Sequence, residues 1–342
     1  TSFSASDFLW EYTPTGDSSA VDDGVLDAST NAATDADLGF MLGRPVYAKL
    51  NSGKGAVIAG NGYNSTSGKA VLYIFLLNTS GQVTEVKKFD TLAAGDNGLA
   101  TPSMFDADGN GTVDFIYAGD LKGNVWKFDV SSATVTDWAI GISGSPLFVA
   151  KDAANNLQPI TSPIAIVKDE VVGDTHEGKR FVFFGTGAYF RTGDPADTAE
   201  QTWYGIIDEN TSISNRSTLK ARSFAVSSGT FGVPPVPVRA FNAAVTGDMV
   251  GKKGWFLDFT IPAGERMVTE SVYFKLARPA LIGSSIIPSA GDPCTPGGKG
   301  YINVISPFSG GAMPVGILDV NDNNNFTDDL ISDFFIGSVD LG

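Results

Sequence analysis

Cysteine and histidine each occur once in this chain of 342 residues. The lone cysteine, Cys294, excludes a disulfide bond within the chain. The lone histidine, His176, leaves no Cys/His cluster for a zinc site, and the sequence contains no HExxH, GxSxG or glycine-rich phosphate-loop motif. His176 lies in the polar stretch "GDTHEGKR" without a serine or cysteine nucleophile beside it, so we interpret it as a solvated turn residue.

Positive charge is also scarce in this sequence. Lysine and arginine together number 23, against 38 aspartates and glutamates, which gives a formal net charge of -15. A chain of this charge repels phosphate backbones and anionic membrane surfaces, and it has carboxylates to spare for hard cations. We therefore expect no nucleic-acid partner.

Long apolar runs are missing as well. No segment reaches the roughly 20 apolar residues that a helix needs to cross a bilayer, so we expect no membrane span. The chain begins "TSFSASDF", without a methionine or the apolar core of a signal peptide. We therefore expect it to be a mature or excised part of a longer protein.

Helical periodicity is the last feature that the sequence lacks. Its apolar runs, such as "AVLYIFLL", "GNVWKFDV" and "KRFVFFGTG", are short and almost none of them follows a 3.6-residue period. The 40 glycines, many of them in Asn-Gly, Asp-Gly and Ser-Gly pairs, separate these runs in the manner of hairpin turns. This texture predicts an all-β protein with very little helix, which we expect to form a single domain over residues 1–342.

A weak internal repeat indicates the kind of all-β fold. An apolar run ending in glycine, a short turn and a second run with an aromatic residue occur at 116–130, and more loosely at 58–77 and 297–311. Such strand pairs are what one propeller blade contributes, so we predict a modified β-propeller with about four or five blades. Insertions at 192–201 and 209–250 make the spacing irregular, and we expect the second to be a surface loop. The sequence leaves open whether the propeller is complete.

Residues 106–114 read "DADGNGTVD" and place an oxygen-bearing group at every second position. Calcium loops use the same spacing, with side-chain oxygens at positions 1, 3 and 5, a backbone carbonyl at position 7 and a further carboxylate. The predicted calcium ligands are Asp106, Asp108, Asn110, Thr112 through its carbonyl, and Asp114.

This loop differs from an EF-hand. The glutamate that an EF-hand needs at position 12 is replaced by Tyr117, inside the strand-like run "VDFIYAG". We therefore predict a nine-residue loop set into β structure, with Gly109 and Gly111 supplying the positive φ angles that let it curl around one ion. The alternative is an acidic turn that binds no ion.

A second candidate calcium loop, "LDVNDNNNFTDDL", lies near the C-terminal end. One frame begins at Asp319 and continues through Asn321, Asn323 and Asn325. The other frame is shifted by two positions and comprises Asn321, Asn323, Asn325, Thr327 and Asp329. In both frames asparagine replaces most of the carboxylates, so we expect weaker binding than in the first loop. A hydrated asparagine-rich turn is the alternative.

These loops and the strands around them resemble the C-terminal β-propeller of PilY/PilC-type proteins, the adhesins associated with type IV pilus tips. The matching stretches run in the same order and include "DLGFMLGRPVYAKLNSGKGAVIAGNGYNS", "DADGNGTVDFIYAGDLKGNVWKFDV", "FVFFGTGAYF" with "TWYGIID", and "SSIIPSAGDPCTPGGKGYINVISPFSGG". The resemblance implies a modified propeller that holds calcium through the five residues of the first loop. The family's large N-terminal region and the partner of its cysteine near Cys294 have no counterpart here, so ring closure stays open.

The resemblance also implies a function outside the cytoplasm. Members of this family are exported through the periplasm and outer membrane, and they act at the pilus tip together with minor pilins. They support pilus extension, oppose retraction in a calcium-dependent way, and contribute to adhesion and twitching motility. The partners implied for this chain are therefore minor pilins at the pilus tip and a host-surface or glycan ligand.

Two other classes of function compete with this interpretation. "AGDLKGNVWKFD" also resembles the repeat that docks neighbouring blades in quinoprotein dehydrogenases, and a glycosidase could draw its two carboxylates from distant blades. No catalytic set is visible, so we expect no enzyme activity. A lectin-like propeller could stack sugars on exposed aromatic residues, for which the candidates are Trp10, Trp138, Trp203 and Tyr204, although such residues more often pack between blades.

Overall fold

The computed structural model describes residues 10–13, 25–26, 35–289 and 298–340. Cys294 lies outside these residues. Regular structure in the described part is almost entirely β-strand, and its helical segments are four 3-10 turns, Val135–Asp137, Ile142–Gly144, Asp194–Ala196 and Arg216–Thr218. The predicted all-β class is confirmed. The chain divides into two compact units, Thr1–Pro146 and Leu147–Gly342, and the single domain remains a prediction.

The described residues of the first unit form ten strands. Their bounds are β1 (Glu11–Tyr12), β2 (Val25–Leu26), β3 (Val46–Lys49), β4 (Gly55–Gly60), β5 (Val71–Leu77), β6 (Val83–Asp90), β7 (Ser103–Phe105), β8 (Phe115–Gly119), β9 (Asn124–Asp129) and β10 (Ala139–Ile140). Strands β3 to β6 form an antiparallel sheet in sequence order, and β7 to β10 follow one another in a second antiparallel sheet. Strands β1 and β2 form a short parallel pair.

Burial on both faces explains why β5 is an unbroken apolar run. Alternate side chains of a strand point to opposite faces of its sheet. Leu72 and Ile74 belong to the cluster that also contains Trp126 and Phe128, whereas Tyr73 and Phe75 form a second cluster on the other face. Sheets of this kind lose the alternation of apolar and polar residues that marks a half-exposed strand.

Fourteen strands lie in the described part of the second unit. Their bounds are β11 (Phe148–Val149), β12 (Ala165–Lys168), β13 (Arg180–Gly185), β14 (Gln201–Asp208), β15 (Lys220–Arg222), β16 (Phe224–Phe231), β17 (Val236–Phe241), β18 (Gly254–Phe259), β19 (Val272–Phe274), β20 (Ala280–Pro288), β21 (Gly298–Ile305), β22 (Leu330–Ile331), β23 (Phe334–Phe335) and β24 (Ser338–Asp340). One sheet has the order β12-β13-β14-β18-β15 and the other β16-β17-β24-β21-β20-β19, with β22 and β23 paired separately.

The segment 209–250 is not the surface loop that the sequence predicted. It contains β15 and the antiparallel hairpin of β16 and β17, in which Thr230 lies opposite Pro237. Its prolines and serines favoured a loop, but Phe224 and Phe241 face each other across the hairpin and stack at 4.9 Å. Cross-strand aromatic packing therefore outweighs the local turn propensity of this segment.

Buried polar residues at equivalent turns explain the weak sequence repeat. Asn61 follows β4, and its Oδ1 accepts hydrogen bonds from the backbone N–H groups of Val71 (3.0 Å) and Leu99 (2.9 Å). Asp120 follows β8, and its Oδ2 accepts from Trp126 Nε1 (2.8 Å). Both are fully buried, so each turn is satisfied by side-chain hydrogen bonds rather than by water.

A fully buried ion pair and its hydrogen bonds connect β17 with β21 in the second unit. The guanidinium of Arg239, on β17, donates to both carboxylate oxygens of Glu265 at 2.7 and 2.8 Å, and also to Asn303 Oδ1 on β21 at 3.0 Å. Tyr301 places its ring 3.7 Å from the same guanidinium. This bidentate pairing satisfies both charges where water cannot reach them.

Truncating one partner of this pair leaves the other charge buried and unmatched. We expect Glu265→Ala to lower the free energy of unfolding by about 3–5 kcal/mol, as measured by chemical denaturation. Glu170→Ala is the matched control, because Glu170 pairs with Lys275 at an exposed site and its removal should have no measurable effect. Equal effects of the two substitutions would contradict this assignment.

Candidate metal centre

The loop 106–114 connects β7 to β8 in the first unit. The last residue of β7, Phe105, lies directly opposite the first residue of β8, Phe115, so the nine residues between them close a hairpin. Gly109 and Gly111 have φ angles of +80° and +84°. No atom lies within 4 Å of the position that a Cβ would occupy at either glycine, so backbone conformation rather than space requires them.

Side-chain oxygens turn the backbone of this loop inward. The two carboxylate oxygens of Asp106 accept hydrogen bonds from the N–H groups of Gly109 and Gly111, both at 2.7 Å. Asp108 accepts from the N–H of Asn110 at 3.0 Å, and Asn110 Oδ1 accepts from the N–H of Thr112 at 2.8 Å. The predicted ligand residues therefore share one tightly wound loop.

Three carboxylates meet at this loop. Oxygen atoms of Asp106, Asp108 and Asp114 lie within 4.8 Å of one another, and Asp114 is only 7% exposed. The hydrogen bond from Gly111 is the main cause that lowers the pKa of Asp106, so this carboxylate stays charged. Three like charges at this separation repel one another, and oxygen donors of this kind suit calcium. The donor set therefore fits a hard cation.

The structure adds one residue that the sequence analysis missed. Asn51, in the turn between β3 and β4, donates through Nδ2 to Asp114 Oδ1 at 2.9 Å. It lies 63 residues before Asp114 in the chain. No local spacing pattern could have connected two such distant residues.

In the second loop, the aspartates of both frames that the sequence left open form hydrogen bonds with the loop backbone. Asp319 begins it, with its carboxylate accepting from the N–H groups of Asn323 (3.1 Å) and Asn324 (2.8 Å). Asp329 ends it, with Oδ1 accepting from the N–H of Val320 at 3.0 Å. Both carboxylates therefore bind the backbone of the same eleven-residue loop, 319–329.

The final residues of the two loops match closely. Thr327 donates its N–H and Oγ1–H to Asn325 Oδ1, at 3.2 and 2.7 Å. Thr112 likewise donates its N–H to Asn110 Oδ1 in the first loop, where its one hydroxyl proton is shared between the Oδ1 atoms of Asn110 and Asn51. Each of these pairs precedes a closing aspartate, so the pattern Asn-x-Thr-x-Asp has one geometry in both places.

Asp329 has an oxygen without a partner. Its side chain is 1% exposed, and Oδ2 makes no hydrogen bond. Burial is the main cause that raises the pKa of Asp329, and the charges of Asp328 and Asp319 add to it. A buried carboxylate oxygen left over after the backbone contact is suited to a cation, so this donor set also fits calcium.

His176 is not simply a solvated turn residue. It lies in the turn between β12 and β13 but is only half-exposed, with Nε2 3.0 Å from the carbonyl oxygen of Met249. Its ring contacts the edge of Phe181 at 6.0 Å between centroids. These contacts give it a packing role that a polar sequence context does not reveal.

Aromatic residues considered as sugar platforms are mostly in the core. Trp138, Trp203 and Tyr204 are buried, and Trp203 donates through Nε1 to Ser271 Oγ at 3.0 Å. Trp10 is half-buried and stacks on Phe75 at 5.3 Å. Three of the four therefore have no face open to a sugar ring.

Helices of the described residues are too short and polar to span a membrane.

Comparison with known proteins identifies the family. A family model described as the PilY1 beta-propeller domain matches residues 8–225, which is more than half of the chain. The chain belongs to the PilY1 β-propeller family. The 106–114 loop and strands β3 to β6 lie inside the matched residues.

Relatives of this PilY1-family chain carry names from pilus assembly. The type IV pilus biogenesis factor PilY1 homolog of Xylella fastidiosa (strain Temecula1 / ATCC 700964) is 32% identical over 305 residues, covering 82% of this chain and 20% of the relative. The type IV pilus biogenesis factor PilY1 of Pseudomonas aeruginosa (strain UCBPP-PA14) is 30% identical over 338 residues, covering 85% and 28%. The chain thus spans less than a third of the length of either relative.

A solved structure supports the fold. The crystal structure of the Pseudomonas aeruginosa PilY1 C-terminal domain matches with a TM-score of 0.72 and 24% identity, covering 90% of this chain and 68% of that one. Together with the strand content and the family match, this confirms the predicted modified, irregular β-propeller.

Asp169 begins the turn that contains His176, and we expect it to make the free energy of unfolding depend on pH. Asp169 is fully buried with Oδ2 unpaired, and burial, with the nearby charges of Asp174 and Glu177, raises its pKa from 3.8 to about 7. The folded state therefore holds this proton more tightly than the unfolded state, and stability falls as pH rises from about 4 to about 7.

Asp169→Asn removes the buried charge and keeps the acceptor for the N–H of Val171. We expect it to raise the free energy of unfolding more at pH 8 than at pH 5, as measured by denaturant titration. Asp152→Asn is the contrast, because hydrogen bonds from Asn156 lower the pKa of Asp152 despite some desolvation, so its loss should destabilise at pH 8. A pH-independent effect of Asp169→Asn would contradict the assignment.

Proposed function

We propose that this chain is a calcium-binding β-propeller of a type IV pilus biogenesis and tip adhesin protein. Membership of the PilY1 family and the names of its relatives support the pilus role. The observation that carries the calcium part is the meeting of Asp106, Asp108 and Asp114 oxygens within 4.8 Å. Neither relative's name describes an enzyme, which supports a binding role rather than a catalytic one.

In the proposed site, the carboxylates of Asp106, Asp108 and Asp114, the amide oxygen of Asn110 and the backbone oxygen of Thr112 hold the ion. Bound calcium supplies the positive charge that cancels the repulsion among these carboxylates. Backbone N–H groups already fix the Asp106 and Asp108 side chains, so little ordering remains for the moment of binding. Loop 319–329 is the proposed second, weaker site, because asparagines occupy most of its proposed ligand positions.

The proposed setting is extracellular, at the pilus tip, with minor pilins as partners and a host-surface or glycan ligand as a further one. Calcium binds the folded loop and not the unfolded one, so it stabilises whatever docking surface the ordered loop supports. This differential stability is the proposed physical basis for supporting pilus extension, opposing retraction, and promoting adhesion and twitching motility.

Calcium titration of chelator-stripped protein by calorimetry tests the metal part. We expect the wild type to bind at the first loop, Asp114→Ala to lower that affinity by more than about 100-fold, and Asp329→Ala to remove only the weaker event. Asp137→Ala is the matched control, since this aspartate is exposed and its carboxylate accepts a hydrogen bond from Ser132 Oγ rather than from a residue of either loop. No uptake by the wild type at millimolar calcium would overturn the proposal.

Pilus assays in cells test the biological part. The substitution Asp114→Ala is placed in the full-length protein in its own host, and surface pili and twitching are measured beside Asp137→Ala. We expect Asp114→Ala to reduce both, because an empty loop cannot order its docking surface, and we expect the control to behave as wild type. Unchanged piliation and twitching in a variant shown to have lost calcium binding would refute the regulatory role.

A further inference from the structure

Asn51 connects the first calcium loop to a hairpin that provides none of its ligands. It lies in the tight turn between β3 and β4, where the N–H of Leu50 donates to the carbonyl of Lys54 at 3.0 Å and the N–H of Gly53 donates to the carbonyl of Leu50 at 2.9 Å. The turn belongs to the sheet of strands β3 to β6, whereas the calcium loop connects β7 to β8. Both belong to the first unit of the chain.

The amide of Asn51 contacts three consecutive residues of the loop. Its Nδ2 donates to the carbonyl oxygen of Val113 at 3.2 Å and to Asp114 Oδ1 at 2.9 Å. Its Oδ1 accepts from Thr112 Oγ1 at 2.7 Å. Because Nδ2 meets two oxygens that can only accept, a flipped amide would lose both bonds, and the orientation of the group is therefore determined.

Backbone contacts hold the same two segments together. The N–H of Val113 donates to the carbonyl oxygen of Lys49 at 3.0 Å, and Leu50 forms an isolated parallel bridge with Val113. The backbone next to Asn51 is therefore fixed against the loop, so the Asn51 side chain can hold the loop residues in position.

Asp114 is oriented by contacts at both of its oxygens. Oδ1 accepts from Asn51, and Oδ2 accepts from the N–H of Ala107 at 2.7 Å. A carboxylate has about four acceptor sites, so these two bonds leave lone pairs for an ion while fixing the plane of the group. Replacing a partner that orients a metal ligand in this way typically weakens metal affinity by about 10- to 100-fold.

We propose that Asn51 is a positioning residue of the calcium site and that it transmits calcium occupancy to the β3–β4 hairpin. This inference rests on the proposed function, since it requires that the 106–114 loop binds calcium. Asn51 fixes Asp114 and Thr112, and ordering of those two residues by the ion in turn fixes the turn that carries Asn51. Calcium therefore stabilises a hairpin that does not touch it.

Two measurements on the whole chain test this coupling. Calorimetry gives the calcium affinity of the wild type and of Asn51→Ala, and hydrogen–deuterium exchange gives the protection of β3 and β4 amides with and without calcium. We expect Asn51→Ala to weaken calcium binding by about 10-fold or more. We also expect calcium to slow exchange in β3 and β4 of the wild type, and to slow it much less in the variant at saturating calcium.

Asn78→Ala is the matched control. Asn78 also lies in a hairpin turn of the same sheet, where its Oδ1 accepts from the N–H groups of Ser80 (2.9 Å) and Gln82 (3.0 Å), and none of its hydrogen bonds reaches the calcium loop. It should leave both the affinity and the calcium-dependent protection unchanged. A purely structural role for Asn51 would alter stability without removing the response of β3 and β4 to calcium.

Thr112→Val provides a second variant in case Asn51→Ala does not fold. It removes the hydroxyl that donates to Asn51 and keeps the backbone carbonyl proposed as a ligand. We expect several-fold weaker calcium binding, with a smaller exchange response in β3 and β4. Wild-type behaviour in both variants would overturn the role of Asn51 alone, whereas a wild type that binds no calcium would overturn this inference together with the proposed function.

Discussion

Repulsion among carboxylates is the constraint on which the candidate site depends. Three of them meet in the 106–114 loop, and the loop tolerates this because backbone N–H groups donate to Asp106 and Asp108 while Asn51 and Ala107 hold Asp114. These bonds offset part of the electrostatic cost and leave a net negative pocket of oxygen atoms. Such an arrangement suits the hard divalent cation that we propose for this loop.

Several buried polar groups elsewhere in each unit are also matched by hydrogen-bonding or charged partners. Asn61 and Asp120 are buried at the ends of strands, where each satisfies several neighbouring donors. Arg239 and Glu265 neutralise each other in the second unit. In each case a polar side chain replaces water at a point where strands converge, which allows short, irregular strands to pack without leaving donors or acceptors unpaired.

Loops 106–114 and 319–329 show how one local design can be varied. Both end in the pattern Asn-x-Thr-x-Asp with the same backbone hydrogen bond from threonine to asparagine, but loop 319–329 is two residues longer and has asparagine at most of its proposed ligand positions. Asp329 keeps a buried oxygen without a partner, whereas Asp114 is held at both oxygens. The first loop is thus the better preorganised of the two, and three of its proposed ligands are carboxylates.

Local patterns in the sequence were enough to predict the all-β class, the hairpin position of the 106–114 loop and the residues of that loop. Strand alternation, glycine turns and oxygen-bearing groups at every second position are all properties of residues that are neighbours in the chain. The sequence was misleading at 209–250, where cross-strand packing of Phe224 and Phe241 produced a hairpin, and at His176, which packs on Phe181. Only the tertiary structure brought Asn51 to Asp114, across 63 residues. It also placed Asp319 and Asp329, one from each frame of the second loop, on the backbone of the same loop. Contacts of this kind depend on how separate hairpins pack, and no single stretch of sequence contains that information.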